Sequence, residues 1–279
     1  METQLIDGNN VFTTLAQSLA ADKRSAHAAY DLDSIRKMVV HYISKHIQAG
    51  RPVVIAADAA SWRKQEFPPY KWRRYQNKGR DDFKYDEFIV VLQKVLEEIK
   101  EHSPCAVLRV PGAEGDDIIA AFAAIMAEEG GVCIHSTDKD LLQLQLHYSG
   151  VRQFSPTEWK YITAQSKGYS LIEHIIRGDA GDDVPNILSA DDVFMTKTRQ
   201  TVLTASRYSE MYALLSSERP EDRMDDEQKR RYYRNRKLID LREIPFDVVE
   251  RIFAAYTEEK EKMRPAGAFS HYLASHGIL

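Results

Sequence analysis

The chain has 279 residues, of which 43% are hydrophobic and 29% charged, and its formal net charge is −4. That composition is ordinary for a soluble globular protein with a sizeable core, arranged as one large domain or two. No apolar run is long enough to span a membrane, and Met1-Glu2-Thr3-Gln4 lacks the basic region and apolar stretch of a secretory leader. Cys105 and Cys133 fall in apolar runs without zinc-type Cys/His spacing, so two buried free thiols in a reducing cytosol are expected. The net negative charge argues weakly against a nucleic-acid partner, but local charge asymmetry is more informative than the average.

In chain order, Gln4 to Asp7 reads as a short strand ending in an acid, followed by the turn Gly8-Asn9-Asn10 and a helix. Asp33 and Ser34 offer N-caps to a run with Ile35, Met38, Val39, Tyr42, Ile43 and Ile47 on one face. Pro52 to Ala57 reads as a buried strand ending at Asp58. Asp86 to Lys100 reads as an amphipathic helix through Phe88, Val91, Leu92, Val95 and Ile99. The Val/Leu-rich run Cys105 to Val110 reads as a strand, and Ile118 to Met126 as a helix. Gly131 to Ser136 is a further strand, with Thr137-Asp138-Lys139-Asp140 capping the next helix. Val151 to Phe154 and Trp159 to Ile162 read as a terminal strand or hairpin. Beyond about Ser166 the pattern is helical: Ser170 to Arg177, Lys197 to Leu215, Asp226 to Leu238, Phe246 to Lys262 and Phe269 to His276. The highly charged segment Glu218 to Lys237 reads as a solvated loop and helix. Alternating strand and helix followed by helix alone predicts a parallel α/β domain at 1–165 and a helical domain at 166–279.

Acids recur where the predicted strands end: Asp7, Asp58, Glu114/Asp116/Asp117 and Asp138/Asp140. A parallel sheet brings its carboxyl ends to one edge, so these groups should share one crevice. A further group, Asp179/Asp182/Asp183, opens the helical part. A single Asp at such a turn is more often an N-cap than a ligand. About eight carboxylates in one cleft repel one another and need hard divalent cations. Oxygen-only ligation selects Mg²⁺ or Mn²⁺, and this many ligands suggests two ions, the arrangement used in phosphodiester hydrolysis.

The segment Trp62 to Arg80 carries Arg63, Lys64, Lys71, Arg73, Arg74, Lys78 and Arg80 against one acid, Glu66. Trp62, Phe67, Tyr70, Trp72 and Tyr75 are interleaved with them. Cations suit phosphates and aromatic faces suit unpaired bases. A solvated helix with a packed aromatic face is the blander alternative.

Tyr70-Lys71-x-x-Arg74, Gly-x-Glu114-x-Asp116-Asp117, Ser136-Thr-Asp138-x-Asp140 and Gly178-Asp179-x-x-Asp182 occur in the order and spacing of the flap endonuclease / 5′→3′ exonuclease family. Over nearly its whole length the chain resembles that family, most of all its phage ribonuclease H branch. The segment Gln153-Phe-Ser-Pro-Thr-Glu-Trp-Lys, the Leu238-Ile-Asp-Leu stretch and the C-terminal Arg264 to Gly277 carry the likeness to that branch. The resemblance implies a PIN-like nuclease core, a mainly parallel sheet flanked by helices, and an all-helical C-terminal domain with a helix–three-turn–helix-like module for duplex. It implies a basic arch at about 61–85 that passes a single-stranded 5′ end, with Arg63, Lys64, Tyr70, Trp72, Arg73, Lys78 and Arg80 on nucleic acid. Lys71 and Arg74 fall at the arch base, on the scissile phosphate. Asp7, Asp58, Asp116 and Asp138 match a first metal site, Glu114, Asp140, Asp179 and Asp182 a second, and Asp117 acts through water.

The activity implied is removal of RNA primers and 5′ ends from duplex DNA during replication, with flap cleavage. Asp116 and Asp138, beside Lys71 and Arg74, are the central catalytic candidates. Two Mg²⁺ ions are implied, with Mn²⁺ able to substitute. The substrates would be DNA and RNA–DNA hybrid with a 5′ end or flap. The enzyme would be a monomer in the cytoplasm, of the host cell if the chain is of phage origin, with no membrane partner. A single-strand-binding protein or clamp is the candidate protein partner. The rival readings are a mainly structure-specific flap endonuclease and a non-catalytic nucleic-acid-binding module on the same fold. The chain departs from the family in two places. Asp183 stands where Asn is usual, and Val184 to Lys197 replaces the Gly-x-Gly-x-Lys hairpin that holds a phosphate and often potassium. A potassium site is therefore left open, and Lys197 is the candidate for duplex contact.

Overall fold

A computed structural model describes residues 1–21, 26–48, 50–76 and 83–278. Its strands are β1 (Thr3–Asp7), β2 (Val53–Ala56), β3 (Cys105–Leu108), β4 (Val132–His135), β5 (Val151–Ser155) and β6 (Lys160–Ile162). They form one sheet ordered β3-β2-β1-β4-β5-β6, parallel except for the antiparallel β5–β6 pair. Every residue of β1 to β4 is buried, as expected when helices cover both faces of a parallel sheet. The register pairs Asp7 with Ala56, Ala56 with Leu108 and Ile6 with His135, so the carboxyl ends of the four strands lie level at one edge.

Helices α1 (Gly8–Ala21), α2 (Leu32–Gln48) and α5 (Tyr85–His102) cover one face, with Phe12, Ile35 and Phe88 fully buried against Ile6 and Val53. Short helices α3 (Arg63–Glu66) and α4 (Trp72–Gln76) lie between β2 and α5, and α6 (Gly115–Met126) covers the other face through Ile118 and Phe122. Gly8 opens α1 where a Cβ would sit 2.9 Å from the Ala56 carbonyl oxygen, so only glycine lets α1 start directly on Asp7. The cap of α2 is Asp31, whose carboxylate accepts the Ser34 N–H at 2.9 Å, rather than Asp33 or Ser34. After β4, a 3₁₀ turn (Asp140–Leu142) leads into α7 (Gln143–His147). Both cysteines are free and buried.

The second half contains α8 (Ala164–Lys167), α9 (Leu171–Arg177), α10 (Ala205–Leu215), α11 (Asp226–Ile239), α12 (Phe246–Lys262) and α13 (Ala266–Ser275). Here the structure corrects two expectations. Residues 197–204 are not helical; helix begins only after Thr204, whose hydroxyl accepts the Arg207 N–H. The charged helix α11 is also not wholly solvated. Arg234 donates to the Pro185, Asn186 and Ser189 carbonyls and to Asp191, and buried Asn235 donates to Ile175 and Pro185. These side chains hold residues 185–191, and Asn186 and Ser189 in turn bond to Gln200 and Thr201, in place of helical hydrogen bonds. Helices α9, α10 and α11 share a small core, whereas α12 and α13 return to the sheet. Phe122 meets Phe253 and Tyr256 with ring centroids 5.3 and 4.9 Å apart, and Phe269 and Tyr272 join the core beneath α5.

Candidate active site

One cavity of about 440 Å³ opens at the level edge of the sheet. Asp7, Asp58, Glu114, Asp116, Asp138, Asp140, Asp179 and Asp182 all line it, together with Lys71 and Arg74. The fold thus brings eight carboxylates from five chain segments into one place. Backbone N–H groups hold four of them. Asp7 ends β1 and accepts the Asn10 N–H at 3.0 Å and the Ser136 hydroxyl at 2.8 Å. Asp58, two residues past β2, accepts the Gly115 N–H at 2.8 Å at the start of α6. Asp138 accepts the Asp140 N–H at 2.9 Å, and Asp179 accepts the Gly181 N–H at 2.7 Å.

Crowding sets their charge. Burial and the neighbouring Asp58 push Asp7 up to about 7. Burial, with Asp138, Asp7 and Asp58 nearby, holds Asp116 well above the usual carboxylate range. Burial also pushes Asp140 up to about 7 against the pull of His174. Glu114 behaves in the opposite way. Burial would raise it, but Lys71 and Arg63 outweigh that and hold it at about 2. Lys71 pairs with Glu114 and lies 3.6 Å from Asp182, and Arg74 meets Asp182 at 2.7 Å.

Several expected nucleic-acid and metal residues sit elsewhere. Arg63 is 3% exposed and donates to Glu114, Asp117 and the Leu238 carbonyl. It is a buried bridge between α6 and α11 and presents no cation to a phosphate. Asp117 is fully buried, caps α6 by accepting the Glu114 N–H at 2.9 Å, and does not line the cavity. Tyr70 is buried with its hydroxyl on Glu114 (3.0 Å) and Asp182 (2.9 Å), so no base can stack on it. Trp62 and Phe67 are core residues too, so the packed-face alternative holds for three of the five aromatics. Lys64 is half-buried and donates to the Tyr70 carbonyl at 3.0 Å, with its amine 5.6 Å from the Trp72 ring centre. Trp72 is half-buried, and Arg73, Arg74, Tyr75 and Lys197 are exposed. Lys78 and Arg80 lie outside the described residues.

Asp183 explains its own departure from the family pattern. It adopts a left-handed backbone, φ 59°, which Asp tolerates better than most residues. Its buried carboxylate accepts the Arg73 N–H at 2.7 Å and pairs with the Arg73 guanidinium. An acid there ties the basic segment to the helical half through a charge that Asn would lack. Farther out, Arg73, Phe194, Lys197 and Arg199 line an open cavity of about 550 Å³ beside the 185–204 stretch.

The sequence reading missed His174. On α9, its Nδ1 lies 3.5 Å from Asp140 and its Nε2 3.8 Å from Asp179. A lone histidine in a helical run carries no motif; its position five residues before Asp179 is the local signal.

Fold and cleft together define a member of the 5′–3′ exonuclease family, whose N-terminal, resolvase-like domain matches residues 2–168; the chain belongs to that family. Residues 166–279 match a second family, described as the C-terminal part of T4 RNase H. Among individual proteins the chain is similar to Ribonuclease H of Enterobacteria phage T4. The two are 24% identical over 280 residues, covering 96% of this chain and 90% of that protein. It is also similar to flap endonuclease Xni of Shewanella amazonensis, 32% identical over 183 residues, 59% of this chain and 67% of that one. In fold it is similar to the T5 5′-exonuclease solved with zinc (TM-score 0.63, 16% identity, 93% of this chain and 100% of that one). The T5 flap endonuclease in a pseudo-enzyme–product complex with DNA and metal ions is similarly close (TM-score 0.62, 16% identity, 94% and 100%). No helix among the described residues is long and apolar enough to cross a membrane.

Proposed function

We propose that this chain is a divalent-metal-dependent 5′–3′ exonuclease and ribonuclease H that removes RNA primers and 5′ ends from duplex DNA and cleaves 5′ flaps. The observation that carries this reading is the meeting of eight carboxylates in one cavity with Lys71 and Arg74 beside them. The donor set fits hard cations: it is nearly all carboxylate oxygen, and burial together with neighbouring carboxylates holds Asp7 and Asp116 above the usual acid range. Asp7, Asp58, Asp116 and Asp138 would hold one ion, and Glu114, Asp140, Asp179 and Asp182 the other. Two Mg²⁺, replaceable by Mn²⁺, are the cations this reading assigns. Bound there, they would acidify water and offset charge on the leaving oxygen.

The chain's own groups do the rest. Lys71 and Arg74 are held at the cleft by Glu114 and Asp182, from which they can turn to the scissile phosphate as charge develops on it. Asp117 and Arg63 act as positioning residues, fixing Glu114 at the start of α6. Exposed Arg73 and half-buried Trp72 face the incoming single strand, and Lys197 the duplex. Cleavage is assigned to residues 1–165 and duplex grip to 166–279. The enzyme is read as a cytoplasmic monomer, with a single-strand-binding protein or clamp as its class of protein partner. A mainly structure-specific flap endonuclease is the second reading, favoured by the relatives that bear that name. A silent binding module is disfavoured, because binding alone would not retain acids that repel one another and the phosphates.

The test is digestion of a 5′-labelled RNA–DNA hybrid and a 5′ flap, with Mg²⁺ and with chelator. Mg²⁺-dependent release of short 5′ products from the hybrid is expected. Cleavage of the flap alone would favour the second reading, and no cleavage of either would sink both.

A further inference from the structure

We infer that His174 supplies an imidazole ligand to the second cation site, so that this site favours a borderline cation such as Mn²⁺, Co²⁺ or Zn²⁺ over Mg²⁺. This rests on the reading of Asp140 and Asp179 as ligands given above. One ligand atom each from Asp140, His174 and Asp179 can be chosen so that all three lie within 4.8 Å of one another. The closest approaches are Nδ1 to Asp140 at 3.5 Å and Nε2 to Asp179 at 3.8 Å. The Nε2–Asp179 separation is close to that of neighbouring ligands on one cation: bonds of about 2.1 Å at right angles set adjacent ligand atoms about 3 Å apart, and tetrahedral ones slightly more.

The ring's surroundings select the ligating nitrogen. The Tyr169 hydroxyl lies 3.3 Å from Nδ1, and its ring stands edge-on to the imidazole with centroids 5.9 Å apart. Tyr169 is positioned in turn by Gln143, whose amide also donates to the Ile239 carbonyl at 3.1 Å. With Nδ1 engaged by a partner outside the site, Nε2 is left for the cation on the Asp179 side, the usual arrangement for a ligating histidine. An imidazole nitrogen favours first-row transition cations, Mn²⁺ least and Co²⁺ and Zn²⁺ more, whereas Mg²⁺ prefers oxygen and water.

The competing role for His174 is a protonated counter-ion that balances the acids and is displaced by metal. The two roles predict opposite signs. Removing a ligand weakens cation binding, and removing a resident positive charge strengthens it. The experiment is calorimetric titration of chelator-stripped protein with Mn²⁺ and with Mg²⁺, comparing wild type, His174→Ala and Asp179→Asn. For His174→Ala the expected result is loss of second-site Mn²⁺ affinity by more than the roughly 100-fold that an outer-shell partner can cost, with a smaller loss for Mg²⁺. Mn²⁺ binding that is unchanged or tighter overturns the inference. Asp179→Asn separates the two levels: if it also leaves cation binding unchanged, the second site itself is misread. If His174→Ala melts early, wild type decides the matter through imidazole ¹⁵N resonances during Zn²⁺ titration. A large shift at one His174 nitrogen supports ligation, and an unmoved ring at saturation excludes it.

Discussion

Burial holds Asp116 well above the usual carboxylate range, and Asp138, Asp7 and Asp58 raise it further. Asp116→Asn should abolish cleavage while leaving DNA binding intact or tighter, because a negative charge that repels phosphate goes with the ligand. Turnover within a few-fold of wild type at ordinary Mg²⁺ would remove Asp116 from the site. The same cluster makes stability depend on pH. Asp7 and Asp140 rise from 3.8 unfolded to about 7 folded, so their favourable contribution is complete below about 3.8 and is lost as pH rises through 7. Glu114, held at about 2, works in the opposite sense, but its contribution is lost only as pH falls below its unfolded value of 4.5. In chelator, therefore, the Tm of wild type should fall between pH 5 and pH 8, and Asp116→Asn should flatten that slope. A Tm that is level or rising over this range would mean the acids do not crowd one another. Lys71 adds a kinetic prediction: Lys71→Ala should slow the single-turnover rate more than it weakens binding, since a cation at the phosphate acts on developing charge. Weaker binding at an unchanged single-turnover rate would make Lys71 an ordinary phosphate contact.

At the scale of elements, the start of α6 depends on Arg63. Its guanidinium is buried with Asp117 and Glu114 and reaches the end of α11 at the Leu238 carbonyl. Arg63→Met leaves Asp117 a buried, uncompensated charge, and breaking such a pair costs roughly 3–5 kcal/mol. Urea unfolding measures this. A loss below about 1 kcal/mol together with weaker DNA binding would return Arg63 to the interface. Arg63 also shows where sequence reading stops. Strand-end acids were legible because parallel topology dictates where strand ends go, and a side chain beside them has little freedom. A run of cations carries no such constraint: Arg63 and Arg73 sit in one basic segment, yet one is buried and the other exposed. Asp117 was misread for a related reason. Three acids at a helix start look alike in sequence, but the helical turn directs Asp116 into the cleft and Asp117 back to the Glu114 N–H. Residues 197–204 looked helical by composition, but Gln200 and Thr201 bond to Asn186 and Ser189, and residues 185–191 are held in turn by Arg234 and Asn235, some forty to fifty residues away in sequence, which no local pattern reports.

For the molecule as a whole, a net charge of −4 must be reconciled with a polyanionic substrate. Acids collect in the cleft, where cations would neutralise them, while exposed Arg73, Lys197 and Arg199 gather around a second cavity farther out. This separation implies that the two ends of a substrate are held by different chemistry. Trp72 is half-buried beside Lys64, an aromatic face next to a cation, which suits unstacked bases. Lys197 is exposed, with φ 57° in the irregular stretch, and offers a charge that suits backbone contact. Trp72→Ala should thus impair substrates with a free single-stranded 5′ end and spare binding to blunt duplex. Lys197→Ala should weaken every duplex-containing substrate and lower the salt dependence of affinity by about one charge's worth. Trp62 serves as the control for folding. It is 4% exposed in the core under α6, so Trp62→Ala should cost about 3–5 kcal/mol and reduce activity on every substrate alike. Thermal melts run beside the binding assays read both variants. If Trp72→Ala melts as early as Trp62→Ala and loses activity uniformly, Trp72 belongs to the core and the threading of a 5′ end past it is wrong. If it melts near wild type and fails only on single-stranded 5′ ends, the basic segment handles the strand and the helical half handles the duplex.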